Sequence, residues 1–215
     1  QSVKLCKTDY FLILNPDCII KEKSILKLYD KMENDKNCFL TTATSYDKEN
    51  KLKYTGGLLP ENGDKKIPLN LKGDACVENT LGSCMLVRKK DFIDIGLFDE
   101  KFFLYFSDDE LCRRIKKKKK SVIQVFEAKA IHSHGELKVK NKLKRTFTRN
   151  FHFTFDELYY YYKNNDHYEK YKIIKKKLPK YLFKVFLNFF FLRFEKGIYY
   201  LAKILAIMKF NKLIN

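Results

Sequence analysis

The sequence predicts an α/β fold, and three observations support this class. Apolar runs long enough for buried strands alternate with segments whose apolar residues recur at helical spacing. The apolar fraction of 45% is sufficient for a core in a chain of 215 residues. Turn-forming polar residues follow the apolar runs, as at the carboxyl ends of strands in an open sheet. We therefore expect one sheet domain with a helical segment appended to it.

The first part of the chain begins with a strand. Its apolar run over 10–14 is continuous, which predicts burial on both faces, and it stops at Asn15-Pro16-Asp17. Residues 23–34 show the spacing of an amphipathic helix, and residues 38–43 predict another strand. Residues 46–79 are polar and rich in glycine and proline, which predicts a long loop or β-ribbon.

The alternation of strands and helices continues to about residue 131. The predicted elements are a strand over 83–87, helices over 89–95 and 108–118, and two short strands over 122–126 and 129–131. Gly96 ends the first of these helices. The second has acids in its first turn and cations in its last, which matches the helix dipole.

After Lys138 the sequence becomes basic and aromatic. Residues 145–163 predict a helix, and Pro179 marks the start of another. Residues 181–192 are very apolar but fewer than the roughly 20 residues that a membrane-spanning helix needs. Basic residues then interrupt an apolar pattern, which is typical of helices in a membrane interface. We therefore expect an α/β domain over 1–140 and a helical, basic, membrane-surface tail over 141–215.

The charge of the chain indicates an anionic partner. Lys and Arg number 44 against 26 Asp and Glu, a net charge of +18, which favours a nucleic acid, an acidic membrane or a phosphorylated substrate. The sequence contains no recognised nucleic-acid-binding motif. Its six cysteines lack C-x-x-C spacing, which indicates buried thiols in a reducing compartment.

Two motifs carry side chains suited to catalysis. One is Asn15-Pro16-Asp17, directly after the first strand. The other runs from Gly82 to Gly135 and contains, in order, Phe98-Asp99-Glu100, the aromatic residues Phe102, Phe103, Tyr105 and Phe106, the acids Asp108, Asp109 and Glu110, and the histidines His132 and His134. Acids at a helix start and histidines at a strand end often form a sugar-transfer site, so the sequence predicts an enzyme.

The longer motif resembles the catalytic domain of inverting family-2 glycosyltransferases, closest to the rhamnosyltransferase-like branch. The family pattern is a strand ending in Arg, then G-G-F-D-E-x-F-F-x-Y-x-E-D-x-D-L-x-x-R, a strand, and A-x-x-x-H-x-x-G. The matching residues are Arg88, Gly96, Phe98-Asp99-Glu100, Phe102-Phe103, Tyr105, Asp108, Leu111, Arg114, Ala128, His132 and Gly135. Four residues differ from the family pattern: Leu97 replaces the second Gly of G-G, Ser107 the Glu before the Asp that Asp108 matches, Glu110 the Asp two residues after it, and Lys119 the Gly that usually ends the helix. Asn15-Pro16-Asp17 resembles the family's metal-binding segment, and the resemblance covers roughly residues 1–165.

The resemblance implies the C-terminal part of a GT-A fold, the fold of nucleotide-diphospho-sugar transferases. Family members begin with a nucleotide-binding portion that this sequence does not match. We therefore expect the chain to be a fragment of a longer enzyme, and turnover to depend on the missing portion.

The resemblance also implies roles for individual residues. Asp108 is the expected catalytic base, which takes a proton from the acceptor hydroxyl. Asp17 and His132 are the expected ligands of a divalent cation, Mg²⁺ or Mn²⁺, that bridges the donor diphosphate. The expected donor-binding residues are Asn15, Arg114 and His134. The expected acceptor-binding residues are Asp99, Glu100, Phe103 and Tyr105.

Structural interpretations remain open beside these roles. Asn15-Pro16-Asp17 can be a simple turn, and Asp108 can be a helix cap. Glu110 and Arg114 stand four residues apart, where an ion pair on one helix face is equally compatible. The spacing of His132 and His134 leaves open which imidazole faces the site.

The expected function is transfer of a sugar, with inversion, from a nucleotide-sugar donor to a surface-glycan or lipid-linked acceptor. Rhamnose is suggested by the resemblance alone, within a hexosyl-type transferase. The basic tail predicts a cytoplasmic protein, peripheral on the anionic inner face of the plasma membrane, with no nucleic-acid partner. Two alternatives stay open: a catalytically inactive membrane-associated scaffold, and a basic nucleic-acid-binding module.

Overall fold

The computed structural model describes residues 2–53, 56–63, 72–133, 141–164 and 168–214. The chain divides into two compact units. The sheet unit consists of Gln1–Asp99 and Ser107–Glu136, and the helical unit consists of Glu100–Phe106 and Leu137–Asn215. The predicted α/β class with a helical C-terminal part is confirmed.

The sheet unit is built around one sheet of six strands. Its elements in chain order are α1 (Ser2–Leu5), β1 (Tyr10–Leu14), β2 (Cys18–Ile20), α2 (Glu22–Asn34), β3 (Cys38–Tyr46), β4 (Ala75–Val77), β5 (Cys84–Arg88), α3 (Lys89–Asp94), α4 (Ser107–Lys117) and β6 (Ser121–His132). The strand order is β1-β5-β3-β6-β2, and β4 also pairs with β6. Only the β3–β6 pair is parallel among these described strands.

The last strand corrects one prediction. β6 is a single strand of 12 residues where the sequence predicted two short ones. The two predicted strands are joined by a bulge, because Ala43 pairs with Val125 while the next residue, Thr44, pairs with Lys129. The Thr44 hydroxyl donates to the carbonyls of Val125 and Phe126 at this irregularity, at 3.3 and 3.2 Å. A bulge interrupts the side-chain alternation without ending the strand.

The polar segment over 46–79 contributes more structure than a loop. It contains β4, which pairs antiparallel with the first half of β6. A bridge between Gly57 and Asn79 brings two further parts of the segment together. The prediction also covered residues 54–55 and 64–71, which lie outside the described part of the chain.

Helices cover both faces of the sheet. Leu28 and Met32 of α2 are fully buried on one face, beside Leu86 and Ile123. Phe92 of α3 and three residues of α4 are buried on the other face, together with strand side chains of the same cluster. The three α4 residues are Leu111, Cys112 and Ile115. The alternation of side chains along β5 and β6 supplies both cores, because successive residues of a strand point to opposite faces.

The end of α4 is a Schellman motif. The N–H of Lys120 donates to the carbonyl of Ile115 at 3.2 Å, and that of Lys119 to Lys116 at 2.9 Å. Lys119 has a φ of 55°, the left-handed conformation that this motif requires. A residue with a Cβ is strained there, and the related glycosyltransferase pattern has glycine at this place.

Replacement of Lys119 by Gly is therefore expected to stabilise the protein by about 0.5–1 kcal/mol, because it relieves this strain. The matched control is Lys117→Gly, which introduces glycine two residues earlier, at the last residue of the helix. That control is expected to lower the free energy of unfolding, by at most about 1 kcal/mol, the cost of glycine in a helix interior. Urea denaturation measures both, and destabilisation by Lys119→Gly would contradict the assignment of the motif.

The helical unit contains α5 (Lys142–Lys163), α6 (Tyr168–Lys176), α7 (Leu178–Phe190) and α8 (Phe194–Ile214). Pro179 lies in the first turn of α7, as predicted. Gly197 of α8 allows close packing on α7, because a Cβ at this position would lie 2.9 Å from a ring carbon of Phe189. None of the helices in the described residues has the length and apolarity needed to cross a membrane.

Candidate active site

The Asn15-Pro16-Asp17 segment forms a tight turn between β1 and β2. The N–H of Cys18 donates to the carbonyl of Asn15 at 3.0 Å and closes the turn. The N–H of Asn15 donates to the carbonyl of Ser83, also at 3.0 Å. The turn is thereby attached to the residue that precedes β5, at the carboxyl end of β1. The turn interpretation of these residues is compatible with a binding role, because turns at strand ends present side chains to ligands.

Asp17 and His132 lie side by side in the sheet unit. The Nε2 atom of His132 is 3.2 Å from the Oδ1 atom of Asp17. Backbone pairing brings them together, since Cys18 of β2 lies opposite His132 of β6 and the N–H of Ser133 donates to the carbonyl of Asp17. The His132 side chain is 9% exposed and the Asp17 side chain 32%. His134 lies outside the described residues.

This pair is compatible with a divalent cation that is shared with a substrate. A carboxylate oxygen and an imidazole nitrogen at this separation can both turn towards one ion. The described residues contain no group of three or more His, Cys, Asp or Glu side chains that could hold a metal. Mg²⁺ in nucleotide enzymes is usually held by one or two protein groups, with phosphate oxygens and water as the other ligands. The residues therefore fit an ion that a diphosphate helps to hold.

Two thiols lie beside this turn. The Cys84 thiol at the start of β5 is hydrogen-bonded to the sulfur of Cys18. This hydrogen bond lowers the pKa of Cys18, and together with burial it raises the pKa of Cys84 well above its usual range. Both cysteines are buried and neither forms a disulfide, so they pack as part of the core, as the sequence predicted.

The three acids that begin α4 have three different partners. Asp108 accepts a hydrogen bond from the N–H of Gly82 at 3.0 Å through Oδ2, and one from the N–H of Asp109 at 3.1 Å through Oδ1. Asp109 is buried and accepts from the side-chain amide of Asn79 at 2.6 Å. Glu110 is also buried and binds Arg114 through both carboxylate oxygens. Of the three carboxylates, Asp108 is the most exposed.

Gly82 and Ser83 connect Asp108 to the turn at Asp17. Gly82 donates its N–H to Asp108, and the carbonyl of Ser83 accepts from Asn15. The backbone of Gly82 and Ser83 thus links Asp108 to the turn that carries Asp17, at the carboxyl end of β1. Sequence reasoning did not assign a role to Gly82 or Ser83. A small residue directly before a buried strand is the only signal that the sequence offered.

Arg114 is engaged within the protein. Its Nε atom and one terminal nitrogen bind Glu110, and its two terminal nitrogens donate to the carbonyls of Ile95 and Leu97, both at 2.6 Å. These contacts hold the turn after α3, where Gly96 and Leu97 have φ values of 95° and 61°. Of the two roles that the sequence left open for Arg114, donor binding and an ion pair with Glu110, the geometry favours the ion pair. Arg114 also stabilises the turn that leads to the acidic residues.

The predicted acceptor-binding residues fall in both units. Asp99 belongs to the sheet unit, whereas Glu100, Phe103 and Tyr105 belong to the helical unit. Within the helical unit, Phe103 is 69% exposed and its ring lies 4.2 Å from that of His152. An exposed aromatic ring of this kind is suited to contact with a sugar face or an apolar ligand.

A buried carboxylate that the sequence analysis missed holds this segment in place. Asp156 of α5 is fully buried and accepts hydrogen bonds from three successive backbone N–H groups, those of Phe103, Leu104 and Tyr105, at 3.4, 3.0 and 2.9 Å. Burial raises the pKa of Asp156, and the three hydrogen bonds act in the opposite direction. The only sequence feature that could have indicated this role is the position of an acid in the middle of an aromatic helix.

Asp156→Ala is expected to destabilise the helical unit by about 2–3 kcal/mol, because it leaves the N–H groups of residues 103–105 without an acceptor. Asp156→Asn retains one acceptor oxygen, so we expect it to lower the free energy of unfolding by less than Asp156→Ala does. Thermal and urea unfolding of the two variants measure the difference. If Asp156→Ala unfolds like the unaltered protein, the carboxylate is not the anchor of this segment.

Comparison with known proteins places the chain near glycosyltransferases. No protein-family model matches the sequence. The chain is 32% identical over 120 residues to rhamnosyltransferase WbbL of Escherichia coli strain K12, a match that covers 50% of this chain and 46% of that protein. It is 30% identical over 132 residues to the low-salt glycan biosynthesis hexosyltransferase Agl10 of Haloferax volcanii, covering 57% of this chain and 41% of that protein.

Solved structures give weaker similarities. GalNAc-T7, crystallised with UDP, GalNAc and Mn²⁺, has a TM-score of 0.47 and 12% identity over 61% of this chain and 29% of its own. Protein A197 from STIV has a TM-score of 0.39 and 16% identity over 61% of each chain. The chain spans less than half the length of the two curated relatives that it matches. The sequence similarities confirm the resemblance to glycosyltransferases that the motifs indicated.

Proposed function

We propose that this chain forms part of an inverting glycosyltransferase whose chemistry takes place at the carboxyl ends of β1 and β6. The observation that supports the proposal is the backbone link, through Gly82 and Ser83, between Asp108 and the turn whose Asp17 contacts His132. The similarity to two curated glycosyltransferases supports this function and does not favour an inactive scaffold or a nucleic-acid-binding module.

Asp108 is the proposed catalytic base. Transfer with inversion requires a carboxylate that removes the proton of the acceptor hydroxyl as its oxygen attacks the sugar. Each carboxylate oxygen of Asp108 accepts one backbone N–H, which fixes the orientation of the group. A carboxylate has about four lone-pair positions, so two accepted hydrogen bonds leave room for an acceptor hydroxyl. Only the bond from Asp109 satisfies an N–H of the first turn of α4, because Gly82 lies outside the helix and α4 already begins at Ser107.

Asp17 and His132 are the proposed protein ligands of Mg²⁺ or Mn²⁺. When bound, the cation would neutralise the negative charge of the nucleotide diphosphate leaving group. The chain itself contributes the arrangement of the two ligands, which the β2–β6 pairing sets, and the backbone of Asn15, which the bond to Ser83 holds. Asn15 is proposed to contact the donor through its side-chain amide. His134 and Arg114 remain proposals for the donor side, with Arg114 acting by bracing the turn at Gly96.

The acceptor is proposed to be a surface glycan or a lipid-linked glycan that contacts Asp99, Glu100, Phe103 and Tyr105. The proposed donor carries a hexose, with rhamnose as the first candidate, because the two curated relatives are a rhamnosyltransferase and a hexosyltransferase. The net charge of +18 and the exposed apolar residues of the helical unit support a peripheral position on an anionic membrane, on the cytoplasmic face.

The test is nucleotide release by the complete gene product across a panel of nucleotide-sugars, with Mn²⁺ or Mg²⁺ supplied or chelated. We expect one donor to give metal-dependent release that increases when a glycan acceptor is added. If a folded protein that binds membranes releases nucleotide from none of the nucleotide-sugars, the result would contradict the proposal and support the inactive scaffold.

A further inference from the structure

The helical unit contains a basic cavity between α5 and α8. Its volume is about 660 Å³. Four cationic side chains line it, two from each helix, and Tyr105 and Tyr199 form part of its wall; the four are Arg145, Arg149, Lys196 and Lys203. A cavity of this size is in the range of small-molecule sites. No role assigned so far uses these four cations.

The cavity is cationic even when its one acid is counted. Glu195 also lines it, but its carboxylate binds Lys142 at 2.9 Å and accepts from Thr146 at 3.2 Å. The Lys142 ammonium lowers the pKa of Glu195, with smaller contributions from Thr146 and the charge of Arg145. One acid therefore stands against the four cations of the cavity, and it pairs with a lysine that does not line the cavity. Across the described residues, no carboxylate forms a salt bridge with any of the four cations.

Part of this charge is fixed in place. The Lys203 ammonium lies 4.7 Å from the ring centre of Tyr199 and 5.7 Å from that of Tyr181. Arg145 is half-buried, whereas Arg149 and Lys196 are exposed at the opening. Arginine side chains form paired hydrogen bonds with phosphate oxygens, and lysine adds a point charge. A phosphate group is the anion that this combination suits best.

The helical unit also carries an exposed apolar surface on α7 and at the start of α8. Phe183, Phe186 and Phe190 are 64–70% exposed and share one face of α7, because they are three and four residues apart. The turn that follows exposes three more large apolar side chains, those of Phe191, Leu192 and Phe194. Lys196 of the cavity is only two residues further along the chain. We call residues 183–194 the α7 surface.

The cavity and the α7 surface together select one kind of ligand. A soluble phosphate compound would use the cations but would leave the α7 surface exposed to water. Exposed apolar patches of this kind usually mark a protein or membrane contact. A lipid with a phosphate headgroup satisfies both features, since its phosphate can enter the cavity while its hydrocarbon region covers the phenylalanine side chains.

We infer that the α5–α8 cavity is a headgroup site for the phosphate of a membrane lipid, with the α7 surface inserted among the acyl chains beside it. This inference rests on the membrane association proposed above and adds a specific site to it. Because Tyr105 lines the cavity, the bound lipid phosphate would lie against the segment proposed to contact the acceptor.

The test compares binding of the chain to vesicles that differ in headgroup. Both kinds of vesicle consist of phosphatidylcholine, whose phosphate is esterified with choline and has no net headgroup charge, and they carry either phosphatidic acid, with its free phosphate, or oleate at the same surface charge. We expect tighter binding to the phosphatidate vesicles by about tenfold. The variant Arg145→Gln/Arg149→Gln/Lys196→Gln should lose this preference. The matched control is Lys90→Gln/Lys117→Gln/Lys118→Gln, which removes three exposed charges from the sheet unit and should keep the preference.

Further variants and competitors separate the sources of binding. Phe186→Ser/Phe190→Ser should weaken binding to both kinds of vesicle equally, while inorganic phosphate in excess should leave the protein on the phosphatidate vesicles. The inference is overturned if the cavity variant keeps the phosphatidate preference, or if inorganic phosphate displaces the protein, which would indicate a site for soluble anions. Failure of the unaltered protein to bind any vesicle would overturn the membrane association as well, without bearing on sugar transfer.

Discussion

Asp108→Asn is expected to lower sugar transfer by a factor of about 10² or more while donor binding survives. The amide oxygen of asparagine cannot take up a proton at neutral pH, so the acceptor hydroxyl would lose its base. Asparagine keeps one acceptor oxygen for the N–H of Gly82 or Asp109, so the start of α4 should persist with a stability loss of about 1 kcal/mol. Turnover, donor affinity and thermal unfolding of the complete gene product are the three measurements.

The comparison variant for Asp108 is Asp94→Asn, the same chemical change at an exposed position of α3. It should leave turnover and stability unchanged. Near-normal turnover in Asp108→Asn would remove Asp108 from the mechanism. A loss of turnover accompanied by unfolding at ordinary temperature would show that the hydrogen bonds of Asp108 are needed for the fold, and would contradict the expected stability loss of about 1 kcal/mol.

Asp17→Asn is expected to weaken donor binding by about tenfold or more and to abolish its dependence on Mn²⁺ or Mg²⁺. The carboxylate supplies a negatively charged oxygen to the cation, and the neutral amide is a poorer ligand for a hard ion. The fold should tolerate the change, because the turn is held by the backbone bonds of Asn15 and Cys18. Titration of the nucleotide-sugar with and without metal measures the effect.

The matching change for Asp17 is Asp9→Asn, on the exposed residue before β1. Its donor affinity should rise with metal as in the unaltered protein. If Asp17→Asn also retains the full metal dependence, Asp17 does not hold the cation, and the Asp17–His132 contact is a structural hydrogen bond.

Local signals in the sequence predicted most of the fold. The helical spacing over 23–34 and the acids and cations of 108–118 predicted α2 and α4 to within two residues at each end. These signals suffice because burial of one face and the helix dipole act within a few turns of chain. β6 differed, because the bulge opposite Thr44 depends on hydrogen bonds to a strand about 80 residues away.

The proximity of candidate site residues could be predicted only in part. The resemblance to family-2 glycosyltransferases implied that Asp17 and His132 act together, and the β2–β6 pairing places them in contact. The separate partners of Asp108, Asp109 and Glu110 could not be predicted, because consecutive helical residues point in directions about 100° apart. From the sequence alone, all three could be described only as acids at the start of a helix.

The anchoring role of Asp156 shows the same limit for the helical unit. Its three hydrogen bonds reach residues 51 to 53 positions earlier in the chain. The apolar face of a helical sequence pattern does not indicate that an acid in the helix is buried. Such an acid must find donors elsewhere, and only the fold reveals which ones.

The configuration of the sugar in the transferred product tests the central claim most directly. A single displacement assisted by Asp108 inverts the anomeric carbon of the donor, whereas a two-step route retains it. The complete gene product is used to make the glycoside, and proton NMR of the anomeric position in that glycoside distinguishes the two outcomes. The account predicts inversion, and a product of retained configuration would contradict the role assigned to Asp108.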